Sequence, residues 1–358
     1  MSRFLELVKY QSSMLTNMVI THLLHQQFLP LPLPSSPSSF AGQTVLVTGA
    51  NSGLGLEASR HFVRLGAARV ILACRSLEAG EAAGRDIVRS AAATTTPAPK
   101  GVVVVEVWEV DLAVFDSVRR FCRRVDGELE RLDVVVLNAG VAVPGFEAVD
   151  GGFERQVGVN VVGTFLMALG VLGKLREGKG EEGRMVFVAS DGHHFARFPE
   201  RHQPSVFDAF RDPSTMSDDR YNTTKLLVVL LARELAARLR LGSDQNNNNS
   251  SNNVPIVSVV TPGFCKSRIS RNLPLAGRLG VGAFLAVIGR TTEAGSRTLV
   301  AAAAAGEEAH GGYMESCRVG EPSVFVRSDE GGEVQKRVWG ELMEVLEGIE
   351  SCVTGVVG

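Results

Sequence analysis

The sequence predicts an α/β protein, a doubly wound parallel sheet of about seven strands with helices on both faces. Three observations predict it. Short β-branched runs alternate with helix-length segments from residue 44 onward. The runs are apolar at successive positions rather than at every second one, as strands covered on both faces are. A glycine cluster sits where the first run meets the first helix, at the edge where open α/β sheets bind ligands.

The first 41 residues precede this alternation. "MLTNMVITHLL" followed by "FLPLPLP" is apolar enough for a helix covering a hydrophobic pocket. A weak membrane contact is the alternative, disfavoured because the segment lacks the cationic face of an interfacial helix. No signal-peptide pattern is present, and no stretch reaches the roughly 18 unbroken apolar residues of a membrane span. "PLPLPSSPSSF" (30–40) reads as a Pro/Ser linker.

The organised part, residues 42–350, is expected to be a single domain with no separate substrate domain. "TVLVTG" (44–49) is a strand, "LGLEASRHFVRLGA" a helix and "RVILACR" (69–75) a second buried strand. The order continues with helix "SLEAGEAAGRDIVRSAAA", strand "GVVVVEVWEVD", helix "AVFDSVRRFCRRVDGEL" and strand "LDVVVLNAG" (132–140). A long helical stretch around "FERQVGVNVVGTFLMALGVL" leads to strand "RMVFVAS" (184–190), a helix from about Arg220 to Leu241 and strand "VPIVSVVTPG". A seventh strand is expected in "PSVFVRS", before a last helix rich in Glu and Lys and a C-terminal tail at 351–358. "SAAATTTPAPKG" and the Asn-rich "GSDQNNNNSSNN" (242–253) read as unstructured insertions.

Composition narrows the function. A formal charge of -2 and a pI near 6.4 give no reason to expect nucleic acid or an anionic membrane as partner. A small uncharged or cofactor-bound substrate fits better. The five cysteines show neither C-x-x-C nor metal-ligand spacing. They read as those of a reduced, cytoplasmic protein with no metal site.

"TGANSGLGLE" places Gly49, Gly53 and Gly55 directly after the first strand, with Asn51, Ser52 and Leu54 completing the turn. Tight turning, close backbone approach and a helix N-terminus with free N–H groups suit a pyrophosphate. The second strand ends in Cys74, Arg75 and Ser76, where an NAD site would carry Asp or Glu. Arg75 supplies a planar cation suited to a 2′-phosphate, so the expected cofactor is NADP(H). Asp111, ending the third strand, could accept from an adenine amino group. Asn138, Ala139 and Gly140, ending the fourth, let the backbone lie against the cofactor.

Tyr221 and Lys225, at i and i+4, share one helix face and follow a strand ending in Ser190. An ammonium about 4 Å from a phenol, at an effective dielectric of about 20, is worth on the order of 4 kcal/mol. That would bring the phenol from its usual pKa of about 10 toward neutral pH. Tyr221 then reads as the proton donor for a hydride-transfer reaction, Ser190 as a second hydrogen bond to the carbonyl and Lys225 as the tuner that could also hold ribose hydroxyls. His193 and His194 read as solvated loop residues.

"TGANSGLG", "NAG", "VNVVGTF", "VAS", "YNTTK" and "TPGF" occur in the order and approximate separation of the motifs of the short-chain dehydrogenase/reductase family. The resemblance spans about residues 42–345 and implies a Rossmann fold. "ILACRS" and the long spacer between Ser190 and Tyr221 resemble the NADP-dependent branch that includes retinol dehydrogenases and protochlorophyllide reductase. "SDGHH" and "RYNTTKLL" resemble reductases of fungal secondary metabolism. Carried over by motif, the resemblance makes Asn160 a fourth catalytic residue that holds a proton-relaying water. It makes Thr48 the strand-end threonine at the glycine turn and puts Thr261, Pro262 and Gly263 beside the nicotinamide. It implies a carbonyl or alcohol of an apolar small molecule as substrate, a secondary metabolite or retinoid-like compound. A homo-oligomer is also implied, although the N-terminal segment and the insertions could block the family's usual faces. The sequence departs from the family at Ala189, where many relatives carry a second serine, and in the segments that usually contact substrate. A non-catalytic NADP(H) sensor on the same fold is the alternative, disfavoured by the intact quartet.

Overall fold

The computed structural model describes residues 17–34, 36, 39–92, 103–178, 182–245, 254–267, 269 and 275–357. Most of the two insertions, 93–102 and 246–253, lies outside the described residues, as do residues 1–16.

A helix α1 at residues 17–27 precedes the sheet. Then come β1 (Thr44–Thr48), α2 (Gly53–Arg64), β2 (Arg69–Cys74), α3 (Leu77–Ala92), β3 (Val104–Glu109), α4 (Phe115–Glu128) and β4 (Val134–Leu137). The second half comprises α5 (Arg155–Arg176), β5 (Arg184–Val188), α6 (Arg220–Gln245), β6 (Ile256–Val260), α7 (Leu275–Ile288) and α8 (Thr292–Ala304). Strands β7 (Tyr313–Glu315) and β8 (Arg318–Gly320) and helix α9 (Asp329–Ile349) close the chain.

The strands form one eight-stranded sheet in the order β3-β2-β1-β4-β5-β6-β7-β8, parallel except for β8. This is the Rossmann-type α/β fold. The order reverses between β1 and β4, which opens a crevice at the carboxyl ends of those strands. Side chains alternate between two apolar layers. Val45, Val47, Val134 and Val136 enter the layer that also holds Leu299 and Val300 of α8, while Leu46, Val135 and Leu137 face the layer shared with α4, α5 and α6. Because both faces are covered, these strands are apolar throughout. Helix α5 is long and apolar enough to cross a membrane, but its apolar window is 89% buried against the sheet and its neighbours, so it serves as a core helix here.

The sheet has one strand more than expected, and its seventh strand lies elsewhere. "PSVFVRS" holds a short helix, Val324–Arg327, because the Ser323 side chain accepts from Val326 N and caps it. The seventh strand is the three-residue Tyr313–Glu315. It turns through Ser316 and Cys317, both at positive φ (47° and 64°), into the antiparallel β8. Left-handed backbone at both turn positions matches the twist of a two-residue hairpin. Helix α6 also runs to Gln245, into the segment read as unstructured. The C-terminal residues expected as a tail fold back, burying Val353 and Val357 in the core.

Candidate active site

The glycine turn builds one end of a groove of about 280 Å³ at the crevice. Gly49 and Gly53 adopt φ of 65° and 61°, a region that glycine enters without steric cost. Ser52 precedes α2 without a side-chain capping bond, which leaves the first N–H groups of the helix open toward the groove. Gly55 lies beneath the turn, where a Cβ would meet Asn138 Nδ2 at 2.6 Å and Gly49 O at 2.7 Å. Thr48 Oγ1 accepts from the backbone N–H of Asn138 and of Ala139, each at 2.9 Å, and Asn138 Nδ2 donates to Thr48 O at 2.8 Å. These bonds staple the ends of β1 and β4 side by side.

Thr48, Gly49, Asn51, Ser52, Gly53 and Leu54 line this groove. Arg75 and Asp111 line it further along, and Asn138, Ala139 and Gly140 form its floor. Arg75 is exposed at the rim. Asp111 is the one carboxylate in the lining among the described residues, and its Oδ1 accepts from Ala113 N at 2.9 Å. A cradle shaped by missing Cβ atoms and a helix N-terminus beside it fit the pyrophosphate of a dinucleotide. Pro262 and Gly263 stand back from the lining, and their loop reaches the groove through Ser267 and Ile269.

Behind the groove-lining Gly140, Asn160 and Lys225 converge. A methyl group at Gly140 would lie 3.2 Å from Asn160 Oδ1 and 3.4 Å from Lys225 Nζ. Asn160 grips the backbone of Val141, accepting from its N–H at 2.8 Å and donating to its carbonyl at 2.9 Å, and it donates to Thr224 Oγ1 at 3.1 Å. Its helix carries a π-helical turn over Gly158–Gly163, a bulge that re-aims Asn160 toward the strand ends. Ser190 follows β5 and accepts from Gly192 N at 3.1 Å. Its hydroxyl faces the Tyr221 phenol closely enough to favour the phenolate form. Lys225 Nζ donates to Val188 O at 2.8 Å and stands 5.9 Å from the centroid of the Tyr221 ring.

The electrostatics depart from the expected tuning. Burial pushes the Tyr221 phenol up to about 12; the nearby Ser190 hydroxyl pulls it back and the Asp191 carboxyl adds to the rise. Burial also pushes Lys225 down to about 8. Lys225 spends a donor on Val188 O, and desolvation is the main cause of both shifts. Tyr221 is therefore held protonated at neutral pH, the form that can give a proton to a developing alkoxide.

Comparison with known proteins agrees with this geometry. A family model described as short chain dehydrogenase matches residues 43–198. A short chain dehydrogenase/reductase of Cryptosporiopsis sp. is 40% identical over 341 residues, 93% of this chain and 98% of the relative. The chain belongs to the short-chain dehydrogenase/reductase family. A short chain dehydrogenase of Emericella nidulans is 43% identical over 82% of this chain and 90% of its own length. Among solved structures, an NADPH-dependent 3-quinuclidinone reductase from Rhodotorula rubra shares the fold with a TM-score of 0.55 at 20% identity, over 79% of this chain and 94% of that one.

Several residues of this short-chain dehydrogenase/reductase that shape the site carry no sequence signal. Arg220, beside Tyr221, is 1% exposed and bonds Glu200 at 2.8 Å, with Glu154 3.8 Å away. Asp191, beside Ser190, is 6% exposed, accepts from Tyr313 Oη at 3.2 Å and has its carboxyl pKa raised by burial. His193 is buried rather than solvated. Its Nε2 accepts from Ser323 N at 3.0 Å, so Nδ1 carries the proton and donates to Ser190 O at 2.8 Å. His194 stands against it with ring centroids 4.1 Å apart.

Proposed function

We propose that this enzyme is an NADPH-dependent reductase of a ketone or aldehyde on an apolar small molecule, able to run in reverse as an alcohol dehydrogenase. The observation that carries the reading is the Tyr221 phenol, held protonated by burial, beside Lys225, whose Nζ stands 5.9 Å from the ring centroid and 3.4 Å from where a Cβ on the groove-lining Gly140 would lie. NADPH, when bound, supplies the hydride. Thr48–Gly55 and Asn138–Gly140 would hold its pyrophosphate and ribose, and Arg75 its 2′-phosphate. Asp111 would accept from the adenine.

Tyr221 gives its proton to the carbonyl oxygen as that oxygen gains charge. Ser190 donates a second hydrogen bond to the same oxygen and orients the carbonyl. Lys225, an ammonium below pH of about 8, would hold ribose hydroxyls and stabilise the phenolate that remains. Asn160 keeps the Val141 backbone fixed, and the family resemblance implies that it also holds a proton-relaying water. The apolar sequence of α7, with Phe264 packed on Phe284 at 5.4 Å, favours an apolar substrate.

A panel of apolar ketones, aldehydes and their alcohols, followed by cofactor absorbance, tests the proposal. Consumption of NADPH at least about tenfold faster than of NADH is expected, given the charge-assisted contact at Arg75. Tight NADPH binding without turnover on any member would favour a cofactor sensor instead.

A further inference from the structure

Helix α1 is bonded to the loop that leaves the sheet after β6. That loop departs at Thr261 and returns at Arg290, and its two ends pair at the base. Arg290 N donates to Phe264 O at 2.8 Å, and Lys266 N to Arg290 O at 2.9 Å. The Gln27 side chain, 4% exposed, sits between the ends. Its Oε1 accepts from Phe264 N at 2.9 Å, and its Nε2 donates to Phe264 O and Ile288 O at 2.8 Å each.

Arg290 answers from the loop side. Its Nε donates to Gln27 O at 3.0 Å, its Nη2 to Gln26 O and its Nη1 to Pro262 O at 3.3 Å. The carbonyls of Gln26 and Gln27 end α1, where Gln26 O also accepts from Leu29 N at 3.2 Å, and a cation there complements the helix dipole. Gly263 is where the clamp closes. At φ of 75°, a Cβ on it would lie 2.7 Å from Gln27 Oε1 and 2.8 Å from Arg290 Nη1. Ser316 Oγ donates to Gln26 O at 3.1 Å, and His22 pairs with Glu315 at 3.0 Å, so the β7–β8 hairpin holds the far side of α1.

We propose that Gln27, together with Arg290, is a positioning residue for the active-site wall that the loop after β6 brings to the groove through Ser267 and Ile269. The proposal rests on the reading that this wall faces the nicotinamide and the carbonyl. The N-terminal helix is then part of the substrate-binding apparatus. Without the Gln27 amide, the loop base loses three hydrogen bonds and must be ordered again by each substrate that binds, which raises KM more than it lowers kcat.

The full-length chain carrying Gln27→Ala tests this, with Gln27→Glu as a second variant. The glutamate keeps an acceptor for Phe264 N but turns a carboxylate toward two carbonyls. Amide hydrogen exchange, NADPH affinity by fluorescence quenching, and separate kcat and KM values are measured. In both variants exchange should accelerate at 264–266 and 288–290 while the amides of β1 to β5 keep their protection. KM for the carbonyl should rise about tenfold, with kcat changing by less than about twofold. Unchanged exchange at the loop base, or loss of protection spread evenly over the sheet with unchanged KM, would overturn the proposal. A wild-type chain that binds NADPH but reduces no carbonyl would defeat the functional reading instead, and the exchange pattern alone would then decide the role of Gln27.

Discussion

Arg220 donates from Nη1 to Glu200 Oε1 at 2.8 Å, with both side chains almost wholly buried. The same guanidinium lies near Glu154, whose carboxylate caps α5 by accepting from Gln156 N and Val157 N. One cation thus ties the Ser190–Tyr221 spacer, the helix of Asn160 and the helix of Tyr221 into one block. Removing it leaves two buried carboxylates without their cation. Arg220→Met should therefore destabilise the fold by about 3–5 kcal/mol. Arg220→Lys should recover only part of this, since lysine lacks the planar fork that also reaches Thr215 O. Denaturant unfolding checks both variants; an Arg220→Met midpoint equal to wild type would contradict the account.

Arg75 is predicted to read the 2′-phosphate. Arg75→Ala should raise the KM for NADPH by about ten- to a hundredfold, the worth of a hydrogen bond to a charged group. The KM for NADH should move little. Steady-state kinetics with the two cofactors separate this from a general loss of binding, which would lower both affinities together.

Gly55 and Gly53 should differ in how they tolerate alanine. At Gly55 the new Cβ would meet Asn138 Nδ2 at 2.6 Å and the Gly49 carbonyl at 2.7 Å. The turn must shift, at a cost of about 1–3 kcal/mol in stability and with a marked loss of NADPH affinity. At Gly53 the space is open and only φ of 61° is strained, a cost of about 1–2 kcal/mol. Calorimetric titration with NADPH should rank Gly55→Ala as the weaker binder.

Acid should destabilise the fold through the paired histidines. Burial holds His193 down to about 4 and His194 down to about 3, so both stay neutral when folded. The unfolded chain takes up their protons near pH of about 6.5. Their stabilising contribution is thus complete above that pH and is lost as pH falls toward 4, by on the order of 3 kcal/mol for His193. The buried carboxyls of Glu154 and Asp191, with raised pKa values, act in the opposite sense. Comparison with His194→Phe isolates the histidine contribution: the variant removes a buried Nε2 that has no hydrogen-bond partner among the described residues. Its melting temperature should equal or exceed that of wild type at pH 7 and fall less between pH 6.5 and 4. A variant that follows the wild-type curve would contradict this.

Much of the fold and the ends of the groove were legible in the sequence because local rules govern them. Continuous apolar runs mark strands covered on both faces, and Gly49, Gly53 and Gly55 stand where a strand becomes a helix. The seventh strand was not legible: three residues are too few to show a period, while "VFVR" looks β-like until Ser323 caps it as a helix. Arg220 and Asp191 carry no signal in the sequence, and His193 reads as solvated, because their burial depends on partners 20 to more than 100 positions away. The π-helical turn that aims Asn160 has no sequence pattern of its own. The expected lowering of the Tyr221 pKa failed because i, i+4 spacing fixes proximity but says nothing of how much water both groups lose.

The central claim is that Tyr221 gives the proton, and Tyr221→Phe tests it most directly. The substitution keeps the ring and removes only the hydroxyl that faces Ser190. With a reactive carbonyl in hand, the account predicts NADPH binding within about twofold of wild type and a loss of at least about a hundredfold in kcat. Turnover retained with unchanged NADPH binding would contradict it.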